Sequence, residues 1–296
     1  MPNWREVANE ISNIPAPYDS VRRKYLVKLS EKTGRNVIAY YSGWQSKAPI
    51  RGLEIRDEDM DGFMSAINGL DVKSGLDLIL HTPGGELAAA QSIVRYLKSK
   101  FSRDIRAIVP HSAMSAGTII ACACREILMA KHSFIGPIDP QIGGLPANGV
   151  LEEFERAYRE IKDDPSRAII WGPILKQYPP TFIGMCENAI AWSKAFVEEQ
   201  LSDTMFQSEK NKSAKIKNVI QALTSYDRVK SHSRQIGCDE AAAIGLKIIP
   251  IEAEQDLQDL ILTVHHCYVH MLSNTQVFKV IENQNGAAFI KIARNS

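Results

Sequence analysis

Two glycine-containing turns and one serine are the residues of this sequence whose types and spacing could do chemistry. Gly84 and Gly85 follow Pro83 at the end of one apolar run, and Ser115 precedes Ala116 at the end of the next apolar run. Glycines have no side chain, so a substrate carbonyl can approach their backbone closely. N–H donors placed there can stabilise the oxyanion of a tetrahedral intermediate, and a neighbouring serine hydroxyl can act as a nucleophile. The combination predicts acyl transfer.

Two strand–turn–helix units must position these residues. Residues 76–80 are apolar and end in His81-Thr82-Pro83-Gly84-Gly85, after which residues 87–99 have a helical pattern. Residues 105–110 are also apolar, and after the turn at 111–117 comes a helix of small and β-branched residues. This alternation predicts a largely parallel α/β sheet with right-handed crossovers. Because the carboxyl ends of parallel strands share one edge, we expect the N–H groups of the two turns to converge there.

Each feature also has a simpler interpretation. Serine is a favoured N-cap residue, so Ser115 could only cap a helix. Proline and glycine are common turn residues, so Pro83-Gly84-Gly85 could only form a turn. The occurrence of both features one strand–helix unit apart favours a site, with Ser115 beside the N–H groups of Gly84, Gly85 and Ala116.

Three motifs resemble a known family: HTPGG (81–85), AMSAGT (113–118) and GPIDPQ (136–141). They are similar to motifs of the serine peptidase family of signal peptide peptidase A, in the Clp-protease/crotonase superfamily. The stretches YDSVRR (18–23) and LTVHH (262–266) resemble the serine dehydrogenase proteinase subgroup, so the resemblance covers nearly the whole chain. It implies a spiral of strand–helix units, Ser115 as the nucleophile, and Gly84 and Gly85 in the oxyanion hole.

The base that would activate Ser115 has two candidates. Asp139 stands about where Clp-type enzymes have their catalytic histidine, so the resemblance does not supply a Clp-style triad. In relatives of signal peptide peptidase A, a lysine before a long helix activates the serine, and Lys176 has that position in an apolar stretch. Such a lysine must have its pKa lowered by burial. His232, close to the position of the triad aspartate in Clp-type enzymes, is the second candidate.

Length and composition set the wider expectations. A chain of 296 residues fits one α/β domain with arms, which we place at 1–35 (N-terminal helical arm), 36–251 (catalytic domain) and 252–296 (C-terminal helical arm). A net charge of +1 gives no reason to expect nucleic acid or an anionic membrane as partner. The sequence has no signal-peptide pattern and no long apolar run, which predicts a cytoplasmic protein. Its five cysteines are expected to be reduced core thiols.

No metal or cofactor is expected. His266 and His270 share one face of a helix beside His265, but Cys267 stands where a metalloprotease HExxH motif has its glutamate. Nothing resembles a nicotinamide or pyridoxal site. The sequence therefore predicts a serine peptidase acting on peptides or proteins, and the resemblance implies a homo-oligomer. A crotonase-like acyl-CoA or thioester enzyme and a non-catalytic oligomeric scaffold remain as alternatives, and the cleavage preference stays open.

Overall fold

A mixed sheet lies at the centre of the protein, whose computed structural model describes residues 7–10, 17–224 and 233–293. Within those ranges the sheet has seven strands, and the five that come first in the spatial order below run parallel. The last two form an antiparallel hairpin on β1. In spatial order the strands are β10 (Ile248–Pro250), β5 (Glu126–Met129), β3 (Ile105–Val109), β2 (Leu76–His81), β1 (Asn36–Ser42), β11 (Val277–Asn283) and β12 (Ala288–Ile292).

Helices cover both faces of this sheet. They are α1 (Pro17–Thr33), α2 (Asp59–Ile67), α3 (Leu87–Phe101), α4 (Ala116–Cys122), α5 (Ala147–Asp163), α6 (Ala168–Leu175), α7 (Phe182–Asp203), α8 (Lys212–Thr224), α9 (Cys238–Ala243) and α10 (Gln255–Asn274). Short strands β4 (Ser112–Ala113), β6 (Phe134–Ile135) and β9 (Ile236–Gly237) form a second sheet, and β7 (Gln141–Ile142) pairs with β8 (Leu145–Pro146). The α/β class predicted from the sequence is confirmed.

The alternation of side chains along the strands divides the core into two faces. In β1, Ile38 and Tyr40 pack with α2, α3, α4 and α7 on one side, which we call the α3 face. Val37, Ala39 and Tyr41 pack with α1 and α10 on the other side, which we call the α10 face. All seven residues of β1 are buried, because helices cover both of its sides.

The C-terminal segment 252–296 differs from the helical arm that the sequence predicts. Only Gln255–Asn274 is a long helix, and Val277–Asn283 and Ala288–Ile292 extend the main sheet as strands. The charged residues Lys279 and Glu282 hid the first of these strands in the sequence. Both are fully buried, one on each face, because each is paired with an opposite charge.

Two expectations about composition can be compared with the structure. All five cysteines are buried and free, which confirms that they are core thiols. No helix in the described ranges is both long and apolar enough to span a bilayer.

Candidate active site

The two turns of the sequence analysis are joined by backbone hydrogen bonds beyond the ends of β2 and β3. Thr82 donates its N–H to Ser112 O at 3.1 Å, and Met114 donates its N–H to Thr82 O at 3.0 Å. Thr82 and Ala113 form an isolated parallel bridge. This pairing brings the glycine turn alongside the serine turn, as expected for neighbouring parallel strands.

Gly84 lies directly against Ser115. A Cβ atom on Gly84 would lie 2.6 Å from Met114 O and 2.7 Å from Ser115 Cβ, closer than real Cβ contacts allow. Gly84 also has a φ of +97°, a backbone angle that residues with a side chain rarely adopt. Only glycine therefore lets the two turns approach this closely.

Ser115 has the backbone conformation of a strained turn. Its φ is 49° and its ψ is −113°, immediately before α4. A non-glycine residue in such a region costs about 1–3 kcal/mol and persists only where its surroundings hold it. Ser115 stands at the N-cap position, yet its side chain makes no capping hydrogen bond. The simpler N-cap interpretation of this serine therefore has no support in the structure.

Two backbone N–H groups beside Ser115 stand out among the described residues because they lack a hydrogen-bond partner there. Gly84 donates its N–H to Thr82 Oγ1 at 3.1 Å. Within the described part of the chain, the N–H groups of Gly85 and Ala116 meet no hydrogen-bond acceptor. The sequence predicts an anion site made by all three residues, and the structure shows a difference among them. Gly84 N–H already has a partner, whereas the N–H groups of Gly85 and Ala116 have none in the described part of the chain.

A cavity of about 780 Å³ encloses this arrangement. Ser115, Ala116, Gly84 and Gly85 all line it, so the structure brings these four predicted residues together. Most of its other lining residues come from three short segments: Glu54 and Arg56, Glu86 and Leu87, and Ile138 to Gln141. Pro83, Ile119, Gly143, Gly144 and Ser193 complete the lining. The GPIDPQ segment thus forms a wall of the cavity.

Neither of the two predicted bases is among the described residues that line this cavity. Lys176 is the exposed C-cap residue of α6 and is not part of the lining. The burial that a catalytic lysine requires is therefore missing at this position. His232 lies outside the described residues. Ile236, four positions later, pairs with Ile135, and Ile138 donates its N–H to Leu223 O at 3.0 Å. The described chain on both sides of His232 is thus bonded to the segment that forms the cavity wall.

One side of the site was not expected from the sequence. Ile55 donates its N–H to Gly84 O at 2.7 Å and accepts the N–H of Glu86 at 2.9 Å. These bonds pair Ile55 with Gly85 in a parallel bridge. Residues 43–56 looked only like a polar loop near the site, and no local motif marks Ile55 as a strand-like partner.

The sequence also gave no reason to expect a histidine cluster on the α10 face. The ring of His81 lies 5.6 Å from that of His111 and 5.2 Å from that of His265. Burial lowers the pKa of His81 to about 3, and His111 adds to this effect. Among the described residues, no group of three or more histidine, cysteine or acidic side chains is placed to hold a metal ion. His265 thus packs in a ring cluster on this face.

Comparisons with known proteins identify the family to which this chain belongs. The model of the ClpP-like SDH-type serine proteinase family matches residues 17–261. An uncharacterized protein of Methanocaldococcus jannaschii is 30% identical over 222 residues, which cover 74% of this chain and 72% of that protein. A second uncharacterized protein of the same organism is 33% identical over 208 residues, covering 69% of this chain and 64% of its own length.

Two solved structures, both of point mutants, are similar at low sequence identity. The 1510-N membrane-bound stomatin-specific protease has a TM-score of 0.40 and 18% identity over 66% of this chain and 74% of its own. ClpP1 from Listeria monocytogenes has a TM-score of 0.36 and 14% identity over 78% of this chain and 99% of its own. From the match of the family model over most of its length, the chain belongs to the ClpP-like SDH-type serine proteinase family.

Proposed function

We propose that the protein is a serine peptidase that hydrolyses peptide bonds with Ser115 as nucleophile. The observation that supports this most is the position of Ser115 at the cavity. Its side chain makes no capping hydrogen bond and lies in a strained turn against Gly84. Gly85 and Ala116, whose N–H groups have no acceptor among the described residues, line the same cavity. Membership of a serine proteinase family supports the same reaction class.

The proposed reaction has two acyl-transfer steps. Ser115 Oγ attacks the peptide carbonyl carbon while its proton passes to a base, and the carbonyl oxygen becomes an oxyanion that the N–H groups of Gly85 and Ala116 stabilise. The C–N bond then breaks, and the protonated base returns its proton to the departing amine. A water molecule attacks the resulting ester through the same base and releases the acid and Ser115.

The base is His232 or Lys176. The described chain on either side of His232 is bonded to the cavity wall, whereas Lys176 is exposed and outside the lining. We therefore rank His232 first. With His232 as base, activity rises with pH as the imidazolium loses its proton, because only the neutral imidazole can accept the proton of Ser115. With Lys176 as base, activity requires that this exposed lysine become buried in the active protein.

A homo-oligomer is part of the proposal. Ile169 and Ile170 on α6 are 80% and 58% exposed, and such large apolar side chains favour a contact with another copy. Peptide or protein is the proposed substrate, and the chain offers no charge argument for nucleic acid. Sedimentation velocity on wild type and on an Ile169→Asp variant tests the assembly, and an unchanged sedimentation coefficient in the variant would exclude α6 as the contact.

Labelling with a fluorophosphonate probe, followed by mass-spectrometric mapping, tests the nucleophile. We expect a single adduct on Ser115 in wild type and none in Ser115→Ala. Ser112→Ala is the matched control, because Ser112 lies three residues away with a buried side chain. The variants His232→Ala and Lys176→Ala identify the base. The variant that lacks the base should label Ser115 about two to four orders of magnitude more slowly than wild type. An adduct elsewhere, or none in the assembled wild-type protein, would overturn the proposal.

A thioester-active enzyme is the second candidate. Among the described residues, the lining of the cavity includes no lysine or histidine, and crotonase-type chemistry would use the anion site without Ser115. Hydrolysis of acyl-CoA thioesters at the wild-type rate by Ser115→Ala would favour this candidate. Loss of both activities in that variant favours the peptidase.

A further inference from the structure

A buried ion pair lies behind the cavity on the α3 face. Lys279 Nζ lies 2.9 Å from both carboxylate oxygens of Asp59, and both side chains are fully buried. Tyr40 donates its hydroxyl to Asp59 Oδ2 at 2.8 Å. Neither charged residue lines the cavity. Burying two charges is costly, and apolar residues of similar size often replace such a pair without loss of stability.

The same ion pair holds the backbone on both sides of Ile55. Lys279 Nζ donates to Glu54 O at 2.6 Å, and the N–H of Arg56 donates to Asp59 Oδ2 at 3.0 Å. Among the described residues, the strand-like pairing of this segment is limited to the isolated bridge between Ile55 and Gly85. A charged donor and a charged acceptor can each fix one of these two peptide groups, whereas an apolar pair would leave both without partners.

Ile55 transmits this constraint to the glycine turn. Its N–H and C=O bond to Gly84 O and to the N–H of Glu86, the residues on either side of Gly85. In a parallel bridge, the residue bracketed in this way directs its own N–H away from the partner. The N–H of Gly85 therefore points away from Ile55, and Gly85 lines the same cavity as Ser115.

We propose that Asp59 and Lys279 are positioning residues that fix the N–H of Gly85 in the geometry needed to bind an oxyanion. The proposal rests on the proposed function, since it assigns this ion pair a role in acyl transfer at Ser115. The pair acts through two layers of hydrogen bonds. The first joins its side chains to the backbone of Glu54 and Arg56, and the second joins the backbone of Ile55 to the glycine turn. Neither side chain touches the substrate.

A matched pair of variants tests the proposal. Lys279→Met removes the ion that holds Glu54 O. Arg22→Met removes an equally buried ion on the α10 face, where Arg22 pairs with Glu282 and makes no hydrogen bond to the 54–56 segment. Acylation of Ser115 by a fluorophosphonate, and kcat and KM for a chromogenic peptide, are measured per folded molecule, with the folded fraction taken from urea titration.

We expect Lys279→Met to lower kcat by about 10- to 100-fold with KM within about twofold, because misplacing an oxyanion donor affects the transition state more than the ground state. Arg22→Met should retain both constants within about twofold. Amide hydrogen exchange of residues 84–86 should accelerate in Lys279→Met only. A purely structural role would lower the folded fraction of both variants and leave the per-molecule kcat of each unchanged.

Asp59→Asn decides the question if Lys279→Met does not fold, because asparagine keeps the size of the side chain and removes its charge. We expect a loss of at least about tenfold in kcat and faster exchange at 84–86. Wild-type kcat in a folded Lys279→Met or Asp59→Asn protein would overturn the positioning role. If wild type itself fails to label at Ser115, the proposed function fails, and the exchange rates at 84–86 still decide whether the ion pair holds the glycine turn.

Discussion

The α3 face and the α10 face each contain a buried ion pair contributed by β11. On the α10 face, Glu282 accepts hydrogen bonds from Arg22 Nε at 2.5 Å, Arg23 Nε at 3.1 Å and the Tyr268 hydroxyl at 3.1 Å. All three partners are side chains of helices packed on the sheet. On the α3 face, the pair of Lys279 and Asp59 also bonds two backbone groups of the segment beside the cavity.

This difference distinguishes an ion pair that only stabilises the fold from one that can also affect the geometry of the candidate active site. The two pairs are equally buried, so burial alone does not distinguish them. Charges that hold only other side chains contribute to packing and specificity of the fold. Charges that hold the backbone of a cavity wall also determine where that wall places its donors. The experiments below test this contrast, from the largest expected effect to the smallest.

Replacement of Gly85 by alanine should have the largest effect on the α3 face. A Cβ atom there would overlap the backbone N, Cα and O of Ile55. The bridge to Ile55 must then open, and the N–H of Gly85 moves with it. We expect the rate of fluorophosphonate labelling at Ser115 to fall by about 100-fold or more, as for the loss of an oxyanion-hole donor.

Gly34→Ala is the control for that substitution. Gly34 has a φ of +65°, but a Cβ atom there would meet nothing within 4 Å. This variant should lose about 1 kcal/mol in the free energy of unfolding, from the strained φ alone, and label at the wild-type rate. Wild-type labelling of Gly85→Ala would show that the Ile55 bridge does not position the donor.

The sequence indicated which residues of the candidate site come together better than it indicated the contacts that support them. Ser115 and the two glycines occur in short motifs at strand ends, where residue type and spacing carry the signal. Lys279 lies 220 residues from Asp59 in the chain, and α2 and β2 separate Ile55 from Gly85, so these contacts follow from tertiary pairing that no local pattern encodes. In β11, the charges of Lys279 and Glu282 interrupted the apolar alternation and hid the strand. The sequence alone does not decide between Lys176 and His232 as the base, because the burial of either side chain depends on tertiary packing.

Acidification should destabilise the α10 face. Burial lowers the pKa of His81 to about 3 from its ordinary 6.5, and burial also lowers the pKa of His111, His265 and His266. The folded protein therefore binds fewer protons than the unfolded chain below pH 6.5, so stability falls as the pH decreases. For His81 alone, the free energy of unfolding should fall by about 2 kcal/mol between about pH 7.5 and pH 5.0.

Urea unfolding at the two pH values measures this loss. A His81→Phe variant keeps an aromatic ring beside Trp44 and Tyr41, whose rings lie 4.4 and 5.3 Å from that of His81. Its free energy of unfolding should change with pH by about 2 kcal/mol less than that of wild type. Equal pH dependence in the two proteins would mean that His81 gains its proton in the folded state as readily as in the unfolded chain.

The smallest effect compares two serines with similar backbone conformations, one just after α3 and one just before α4. Ser102, just beyond its C-terminus, has a φ of 56° and a ψ of −121°, nearly the backbone conformation of Ser115 with 49° and −113°. Glycine adopts this region without steric cost, although it also gains entropy in the unfolded chain. Ser102→Gly and Ser115→Gly should therefore each raise the free energy of unfolding by about 0.5–1 kcal/mol, measured by urea titration. Ser102→Gly should keep full activity, and Ser115→Gly should lose it.

A similar gain in both variants would show that the backbone strain is alike at the two serines. The position of the Ser115 hydroxyl beside the glycine turn would then be what distinguishes the site. A loss of stability in Ser102→Gly would mean that the Ser102 side chain stabilises this turn. The comparison of backbone strain between Ser102 and Ser115 would then fail.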